Sequence, residues 1–384
     1  MRRQIYAFFA IFAYLFNESM FLRRLLVSQF KNLEDAQLEF SQKINVLYGD
    51  NGEGKTNLLD SVYYLSACKS FFSPLDRQAV RYGQPQATLF GQYRMASGQE
   101  ESIACLLTST GTKVFKRNGK TYDRLSQHVG LLPVVMVAPQ DTALVYGTGE
   151  ERRKYLNYLL SQTEGQYLQT VQEYGKLLLQ RNRLLKQESC DVPFMASLEE
   201  GMHRRATQIH RCRSLVCEML RPLVASYYAL LSGNKEPVDL HYESDLNKMS
   251  MQELFDTNRR RDGILQYTST GVQRDDVVFY LDDHPLKVCG SQGQQKTFLI
   301  ALKLAQFDLI KQVKSLSPIL LLDDVFDKLD GQRVAFLLQL VAKEDFGQIF
   351  LTDSNKVRIE EVIRSVGGAH RYFSVKGGVF TTYG

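Results

Sequence analysis

The alternation of apolar and polar positions changes character twice along this chain. Residues 20 to about 125 indicate short strands around one helix, residues from about 148 to 232 follow helical spacing, and the last third returns to alternating strands and helices. Apolar runs at Ile44–Tyr48 and Ile319–Leu322 predict strands buried in a parallel sheet. The pattern therefore predicts the α/β class, with a mixed sheet and a helical second lobe.

The short β segments of the first part predict an antiparallel sheet beside this core. Turn residues separate the segments, and Asn118-Gly119 is a favoured two-residue hairpin turn. A further buried strand over 132–138 ends ahead of Pro139. The antiparallel strands are expected at residues 87–93, 102–107 and 113–116, and a first strand of the chain is expected at 22–30.

The middle of the chain predicts three helices. Thr148 followed by Glu151 has the spacing of a capping box and predicts the start of the first helix. A second helix is expected over 166–187, and Pro193 separates it from a third over 194–231. A continuous third helix would extend roughly 55 Å at ~1.5 Å per residue. Helices of this length predict an extended hairpin that leans on a head domain.

The last third again predicts strands and helices in alternation. Its elements are a strand over 277–281, a helix over 297–313, the strand over 319–322, a helix over 331–343, a strand over 348–351 and a terminal hairpin around Gly377-Gly378.

Composition narrows the class of protein without assigning a partner. The 384 residues are 44% hydrophobic and 23% charged, as in a soluble globular protein with two domains or one large insertion. A net charge of +5 permits contact with nucleic acid but does not argue for it. The six cysteines and six histidines show no paired metal-ligand spacing, so we expect reduced thiols in the cytoplasm and no His/Cys metal centre.

One segment matches a phosphate-binding loop at every required position. The motif requires Gly, four free positions, Gly, Lys and then Ser or Thr, between a strand and a helix whose N-terminus favours anions. We expect Lys55 to contact the β- and γ-phosphates of ATP and Thr56 to ligate Mg²⁺. The expected nucleotide contacts are Gly49, Asp50, Asn51, Gly52, Glu53, Gly54, Lys55, Thr56 and Asn57.

The buried strand at 319–322 ends in Asp323-Asp324, the expected partner of such a loop. Asp323 would hold Mg²⁺ through water opposite Thr56, and Asp324 would polarise the attacking water. Buried strands often end in Asp, so this motif is informative only because a phosphate-binding loop precedes it in the same chain.

The first nineteen residues are unusual, because Arg2-Arg3 precede an apolar run over 5–16 that is too short to span a bilayer. Three accounts are open: a true start at Met20, a membrane-associating tail, or a signal peptide. The first is favoured because a nucleotide-binding protein needs cytosolic ATP. Residues 1–19 are therefore expected to lie outside the fold.

A glycine- and glutamine-rich segment over 290–295 lies just before a predicted helix. It resembles the signature motif of ABC-type ATPases, in which the Ser, the Gly and the helix N-terminus of one subunit contact the γ-phosphate bound by the other. This resemblance implies that Ser291, Gly293 and Gln294 contact the partner's nucleotide. The alternative is an ordinary helix cap.

The ordered motifs resemble the RecF family of recombination-repair ATPases, which are related to the heads of the SMC and Rad50 proteins. The match covers nearly everything from Met20 to the C-terminus, and the stretches that carry it are 21–25, 30–32, 49–57, 151–156, 180–186, 291–296, 301–306, 321–326 and 329–330. It implies an ABC-type ATPase head, with lobe I over 20–125 and 310–384 and lobe II over 126–309.

The resemblance also implies a function. It implies an ATP-dependent homodimer with slow hydrolysis that binds single-stranded and duplex DNA at gap junctions, away from membranes. The implied partners are RecO and RecR and, indirectly, RecA. Three rivals remain: a transporter ATPase subunit, a metabolic or nucleotide kinase, and an ATP-sensing scaffold that does not hydrolyse.

The chain departs from the family pattern at two places and from the transporter pattern at a third. Val272-Gln273 replaces the usual Pro-His within the motif over 271–276, and Thr352-Asp353 occupies the place of the transporter switch histidine. Gln140 replaces a Glu and is the residue type with which ABC ATPases sense Mg²⁺ and γ-phosphate. We therefore expect Gln140 at the metal.

Basic residues are concentrated on the second and third predicted helices. Such helices can contact DNA phosphates without reading sequence, although the equal number of nearby acids slightly favours a mixed-charge solvated face. The expected DNA contacts are Arg181, Arg183, Arg204 and Arg205, and the wider basic set adds Lys186, Arg211 and Arg213.

Overall fold

A computed structural model describes residues 20–187, 191–325, 337, 340, 346–354 and 369–383. The chain forms two compact units, one over Met1–Pro139 with Phe307–Gly384 and one over Gln140–Gln306. The expected extension 1–19 and the stretch 329–330 lie outside the described residues, as does the expected helix 331–343 apart from residues 337 and 340.

The predicted elements within the described residues occur in the predicted order, whereas the strands Leu33–Glu39 and Val238–Glu243 and the helix Met251–Leu265 were not predicted. The strands are β1 (Phe21–Phe30), β2 (Leu33–Glu39), β3 (Ile44–Tyr48), β4 (Gln86–Arg94), β5 (Glu100–Thr108), β6 (Lys113–Arg117), β7 (Lys120–Thr121), β8 (Val134–Val137), β9 (Val238–Glu243), β10 (Asp276–Leu281), β11 (His284–Pro285), β12 (Ile319–Leu322), β13 (Ile349–Asp353), β14 (His370–Lys376) and β15 (Val379–Tyr383). The helices are α1 (Lys55–Ala67), α2 (Ala143–Tyr146), α3 (Gly149–Thr163), α4 (Tyr167–Leu184), α5 (Val192–Ser232), α6 (Met251–Leu265), α7 (Leu286–Cys289) and α8 (Gln292–Lys314).

The core sheet of the first unit has the order β15-β14-β3-β13-β12-β8 among the described strands. Strands β14, β3, β13, β12 and β8 run parallel, and β15 is antiparallel to β14. Strand β12 is buried at all four positions, as its apolar run predicts. Strand β8 pairs with β12 and therefore belongs to the first unit, so the predicted boundary between the lobes, ahead of residue 126, is wrong.

The second sheet of this unit is antiparallel, in the order β2-β1-β4-β5-β6-β7 among the described strands. Its predicted strands are confirmed, as is the turn at Asn118-Gly119, whose positive φ angles of 48° and 80° fit a two-residue hairpin. Helix α1 packs on β1, β4 and β8. A buried ion pair joins Lys31 to Asp60 of α1 at 2.6 Å.

The second unit is built around the hairpin of α4 and α5. The 41-residue α5 begins at Val192 because Asp191 caps it, its carboxylate accepting from Phe194 N at 3.0 Å. By length and composition α5 is apolar enough to cross a membrane, with a mean hydropathy of 1.2 in its most apolar window. Its Glu199 and Arg213 are nevertheless buried in ion pairs, which is the packing of a core helix.

The predicted capping box at the start of α3 is wrong. Thr148 does occupy the N-cap position, but within the described part of the chain its side chain makes no capping hydrogen bond. Glu151 contacts Lys154 at 3.0 Å instead, because these residues lie one helical turn apart.

Candidate nucleotide-binding site

The loop after β3 needs glycine at two positions for steric reasons. Gly49 has φ 154°, and a Cβ there would lie 2.3 Å from the Val375 carbonyl oxygen. Gly54 has φ 110°, and a Cβ there would lie 2.9 Å from a methyl carbon of Leu33. Among the described residues no side chain caps the start of α1, so its first amides are directed at the loop.

Lys55 lies across the loop. Its Nζ donates to the carbonyl oxygens of Gly49 at 2.5 Å and Asp50 at 2.8 Å, and the residue is 6% exposed. Burial lowers the pKa of Lys55, and the surrounding carboxylates, of which Asp324 contributes most, oppose that shift. Glycines that permit close approach, helix amides and one ammonium together fit a phosphate chain.

Thr56 and Asp323 form the oxygen-rich end of the site. The Thr56 hydroxyl donates to Asp323, whose Oδ1 and Oδ2 lie at 2.9 and 3.0 Å. Burial raises the pKa of Asp323, against hydrogen bonds from Thr352 and Thr56. Hydroxyl and carboxylate oxygens are hard donors of the type that Mg²⁺ prefers, so these residues fit the ion.

Asp324 follows at the end of the strand and adopts a left-handed conformation with φ 49°. Its amide donates to the Thr352 hydroxyl at 2.9 Å, and the same hydroxyl donates to Asp323 Oδ1 at 2.9 Å. Thr352-Asp353 was noted in the sequence only as standing where transporters have the switch histidine, and its contacts with the two acids were not predicted. The contact of Thr352 with the two acids depends on the pairing of β12 with β13, so it cannot be predicted from the positions of the motifs along the chain.

Two predicted nucleotide contacts also hold the loop in place. Glu53 accepts from Gly377 N through its carboxylate and from Gly378 N through its carbonyl, the latter at 2.9 Å. The Asn57 amide donates to Asn32 at 2.6 Å. Their role toward a nucleotide stays a prediction, as does that of the exposed residues Asp50, Asn51 and Gly52.

The signature-like segment lies in the second unit and forms a helix cap. Ser291 Oγ accepts from Gln294 N at 3.3 Å, and Gln294 Oε1 accepts from Ser291 N at 2.8 Å. Helix α8 consequently begins at Gln292, earlier than the predicted 297. Gln294 also donates to Glu236 at 3.0 Å, whereas Ser291 is exposed to solvent. Contact of Ser291, Gly293 and Gln294 with a nucleotide stays a prediction.

Gln140 is exposed in the 3-10 helix Pro139–Thr142 that follows β8. It is the first residue of the second unit. Its expected role at the metal stays a prediction.

The expected DNA contact at Arg181 is wrong. Arg181 is 1% exposed and donates to Glu199 at 2.9 Å, Asp262 at 2.8 Å and the Thr268 hydroxyl at 2.7 Å. Its guanidinium also lies 4.5 Å from the centre of the Phe255 ring. These partners come from three segments of the second unit and bury the charge.

The remaining basic residues differ in their exposure. Arg213 is 3% exposed and donates to Asp275 at 2.6 Å, so it also belongs to the interior. Arg205 is half-buried and bonded to Glu173 at 2.8 Å. Arg183 and Arg204 are exposed, and Arg204 lies 3.7 Å from Glu200. Of the four expected contacts, Arg183 and Arg204 keep the exposure that phosphate contact needs, and Lys186 and Arg211 of the wider basic set are exposed as well.

The motif over 271–276 anchors the second unit. Asp275 accepts from Arg213, and Asp276 accepts from Arg152 at 2.6 and 2.8 Å. Gln273, which departs from the family pattern, accepts from the Tyr174 hydroxyl and donates to Thr270 O at 2.7 Å. The amide of Gln273 therefore finds hydrogen-bond partners within the second unit.

Comparison with known proteins agrees with these observations. The model of the RecF/RecN/SMC N terminal domain matches residues 21–372. The DNA replication and repair protein RecF of Bacteroides fragilis is 43% identical over 360 residues, which cover 94% of this chain and 97% of that protein. The protein of the same name from Bacteroides thetaiotaomicron is 42% identical over 366 residues, with coverages of 95% and 99%.

Solved structures support the same assignment. The recombination mediator protein RecF with ATP, of the RecFOR pathway, gives a TM-score of 0.86 at 26% identity and covers 96% of this chain and 98% of its own. The Smc head domain of Pyrococcus furiosus gives 0.55 at 14% identity, with coverages of 95% and 96%, and shows likeness of fold alone. Fold and site thus define an ATPase head of the SMC and RecF type. With relatives 42% and 43% identical over nearly its whole length, the chain belongs to the RecF family of DNA replication and repair proteins.

Proposed function

We propose that this chain binds MgATP, dimerises on it and holds DNA at junctions of single-strand gaps and duplex, with slow hydrolysis. RecR and RecO would be its partners in loading RecA. The observation that carries the proposal is the pairing of Thr56 with Asp323 beside Lys55, within a loop that accommodates no Cβ at Gly49 or Gly54. The ATP named for a related structure supports the choice of nucleotide.

Each residue has a definite task in this proposal. Lys55 would exchange its carbonyl partners for β- and γ-phosphate oxygens, and the amides at the start of α1 would bind the same phosphates. Thr56 and Asp323 would hold Mg²⁺, which neutralises charge on the phosphates. Asp324 would orient a water and accept its proton.

The second subunit would complete the site. Ser291 is exposed at the N-terminus of the long helix α8, where dipole and amides favour an anion. A γ-phosphate bound by one chain would meet this cap on the other, so that ATP joins the two heads. The cap geometry supports the arrangement because Gln294 already satisfies Ser291 N and orients the hydroxyl.

The rivals predict different behaviour. A transporter subunit would have a switch histidine where this chain has the buried residues Thr352 and Asp353, and a kinase would need an acceptor substrate. A non-hydrolysing scaffold would bind ATP and dimerise without releasing phosphate. Measurement of phosphate release by the ATP-bound dimer separates it from the proposal.

Gel filtration with and without MgATP, in the presence of gapped duplex DNA, tests the proposal. We expect a dimer bound to DNA with MgATP and a monomer without it. Lys55→Ala is the control and should remain monomeric under both conditions. Equal elution of the parent chain under both conditions would contradict ATP-dependent dimerisation.

A further inference from the structure

Thr352 lies beside the two acids of the site described above, in the pair Thr352-Asp353 that stands where transporters have the switch histidine, and outside both the phosphate-binding loop and the Asp323-Asp324 motif. It lies in β13, is 0% exposed, and pairs with Leu47 of β3, the strand that leads into the phosphate-binding loop. On the other side Leu351 pairs with Leu322, which places Thr352 beside Asp323. The residue thus lies between the strands that carry the two nucleotide motifs.

The Thr352 hydroxyl contacts both acidic residues at once. It donates to Asp323 Oδ1 at 2.9 Å and accepts from the Asp324 amide at 2.9 Å. A hydroxyl has one hydrogen to donate, and here it is directed at Asp323. The same oxygen accepts a hydrogen bond from the Asp324 amide through a lone pair. The Thr352 side chain therefore connects the carboxylate of Asp323 to the backbone of Asp324.

The contact also marks where the strand ends. Leu320 N donates to Gln348 O at 2.9 Å, and the even spacing of a parallel ladder would direct Asp324 N at the Thr352 carbonyl oxygen. Asp324 instead turns into the left-handed region, with φ 49°, and its amide bonds the Thr352 hydroxyl. Such a φ is uncommon outside glycine, although Asp tolerates it better than most residues.

We propose that Thr352 is a positioning residue for ATP hydrolysis. Its hydroxyl orients Asp323 toward Thr56, and it holds the Asp324 backbone in the turn that aims the second carboxylate. The inference rests on the proposed function, but it concerns a residue that touches neither nucleotide nor metal in that proposal. Residues that orient metal ligands in this way commonly change metal affinity or activity about 10–100-fold when replaced.

Thr352→Val tests the inference because it keeps the shape of the side chain and removes both hydrogen bonds. The first measurement is the Mg²⁺ concentration that gives half-maximal binding of a fluorescent ATP analogue. We expect it to rise about 10–100-fold in the Val variant and to stay within about threefold of the parent in Thr352→Ser. Single-turnover phosphate release should fall in the Val variant and return with Ser.

Thr170→Val is the matched control. Thr170 is also buried, but among the described residues its hydroxyl donates only to Gln166 O, at 3.1 Å, in the N-cap residue of its own helix. Its Mg²⁺ requirement should equal that of the parent. Thr352→Ala removes the hydroxyl without adding a methyl group in its place, and it serves as the test if the Val variant does not fold.

The outcomes separate this inference from the proposed function. A parent chain without Mg²⁺-dependent nucleotide binding would overturn the proposed function and the inference together. A parent that binds MgATP as proposed, with hydroxyl-free variants of unchanged Mg²⁺ requirement and turnover, would overturn the role of Thr352 alone. An equal loss in the Ser variant would also overturn it, because the hydroxyl would then not be the group that matters.

Discussion

The Thr56 hydroxyl lies 2.9 and 3.0 Å from the two carboxylate oxygens of Asp323, although the residues are 267 positions apart in the chain. Strand pairing produces this contact, because β13 lies between β3 and β12 and brings their carboxyl ends to one edge of the sheet. Ligands of open α/β sheets bind at that edge. The pair therefore supports a preformed metal site next to the phosphate-binding loop.

Asp324→Asn should leave MgATP binding and dimerisation intact while slowing hydrolysis. The amide still hydrogen-bonds water but cannot take its proton, and loss of general-base function typically costs about 10²–10⁴-fold. Single-turnover phosphate release measures the effect, with nucleotide binding as the control. Turnover equal to that of the parent would exclude Asp324 as the base.

Ser291→Arg should abolish ATP-induced dimers and weaken DNA binding without affecting nucleotide binding by the monomer. The bulky cation would replace the exposed hydroxyl at the start of α8 and block the approach of the partner's phosphate. Gel filtration with MgATP measures dimerisation, and titration of a fluorescent ATP analogue measures binding.

Mixing Ser291→Arg with Lys55→Ala chains should restore part of the hydrolysis that each variant lacks alone. In a mixed dimer both defects fall in one of the two composite sites, and the other site is intact. A site formed within one chain predicts no such rescue. Absence of rescue between folded variants that form mixed dimers would contradict the shared site.

Arg181→Met should destabilise the second unit rather than weaken DNA binding directly. The change leaves Glu199 and Asp262 buried without their principal cation, and breaking a buried pair in this way costs about 3–5 kcal/mol. Arg183→Met, on the same helix but exposed, is the matched control and should change stability by less than about 0.5 kcal/mol. Urea unfolding measures both, and equal midpoints would contradict the buried role.

DNA affinity should fall steeply with salt and show no preference for base sequence. The exposed Arg183 and Arg204 are the candidate phosphate contacts, and each such contact contributes about 0.9 to the slope of log affinity against log salt on duplex DNA. Replacing both by Ala should lower that slope by about 2. Titrations with gapped DNA at several salt concentrations provide the measurement, and an unchanged slope would place the contacts elsewhere.

His128 should make the first unit less stable in mild acid. It is 0% exposed, with Nε2 2.6 Å from Leu65 O and Nδ1 3.0 Å from the Tyr122 hydroxyl. Burial lowers its pKa below the ordinary value of 6.5, so below about pH 6.5 the unfolded chain binds a proton that the folded chain does not. Stability is therefore present above that pH and is lost as the pH falls toward the folded pKa.

Thermal unfolding between pH 7.5 and about pH 5 measures this dependence. His128→Gln removes the titrating group and keeps hydrogen-bonding capacity, so its unfolding temperature should fall less across the same range. An equal fall in both proteins would assign the acid sensitivity to other groups.

The sequence by itself determined the local elements and the motifs. The phosphate-binding loop, the strand that ends in Asp323, and the hairpin turn at Asn118-Gly119 all depend on residues that are neighbours in the chain. Glycine conformations, uninterrupted apolar runs and helical spacing are local properties, so the strand, glycine loop and helix, the buried strand and the hairpin turn are confirmed by the structure, whereas the contacts of the loop with a nucleotide stay a prediction. The resemblance to the RecF family rests on the same motifs and their order.

Two features depended on the tertiary structure alone. One is which basic side chains of α4 are buried, and the other is which residue forms hydrogen bonds with Asp323 and Asp324. Arg181 and Arg183 stand two positions apart in the same basic run, yet the first is buried because Glu199 and Asp262 reach it from other helices. Thr352 acquires its contacts from the pairing of β12 with β13. Helical or strand spacing predicts which residues share one face of an element. It does not predict which distant segment covers that face. A polar side chain is stably buried only where that segment supplies a complementary group.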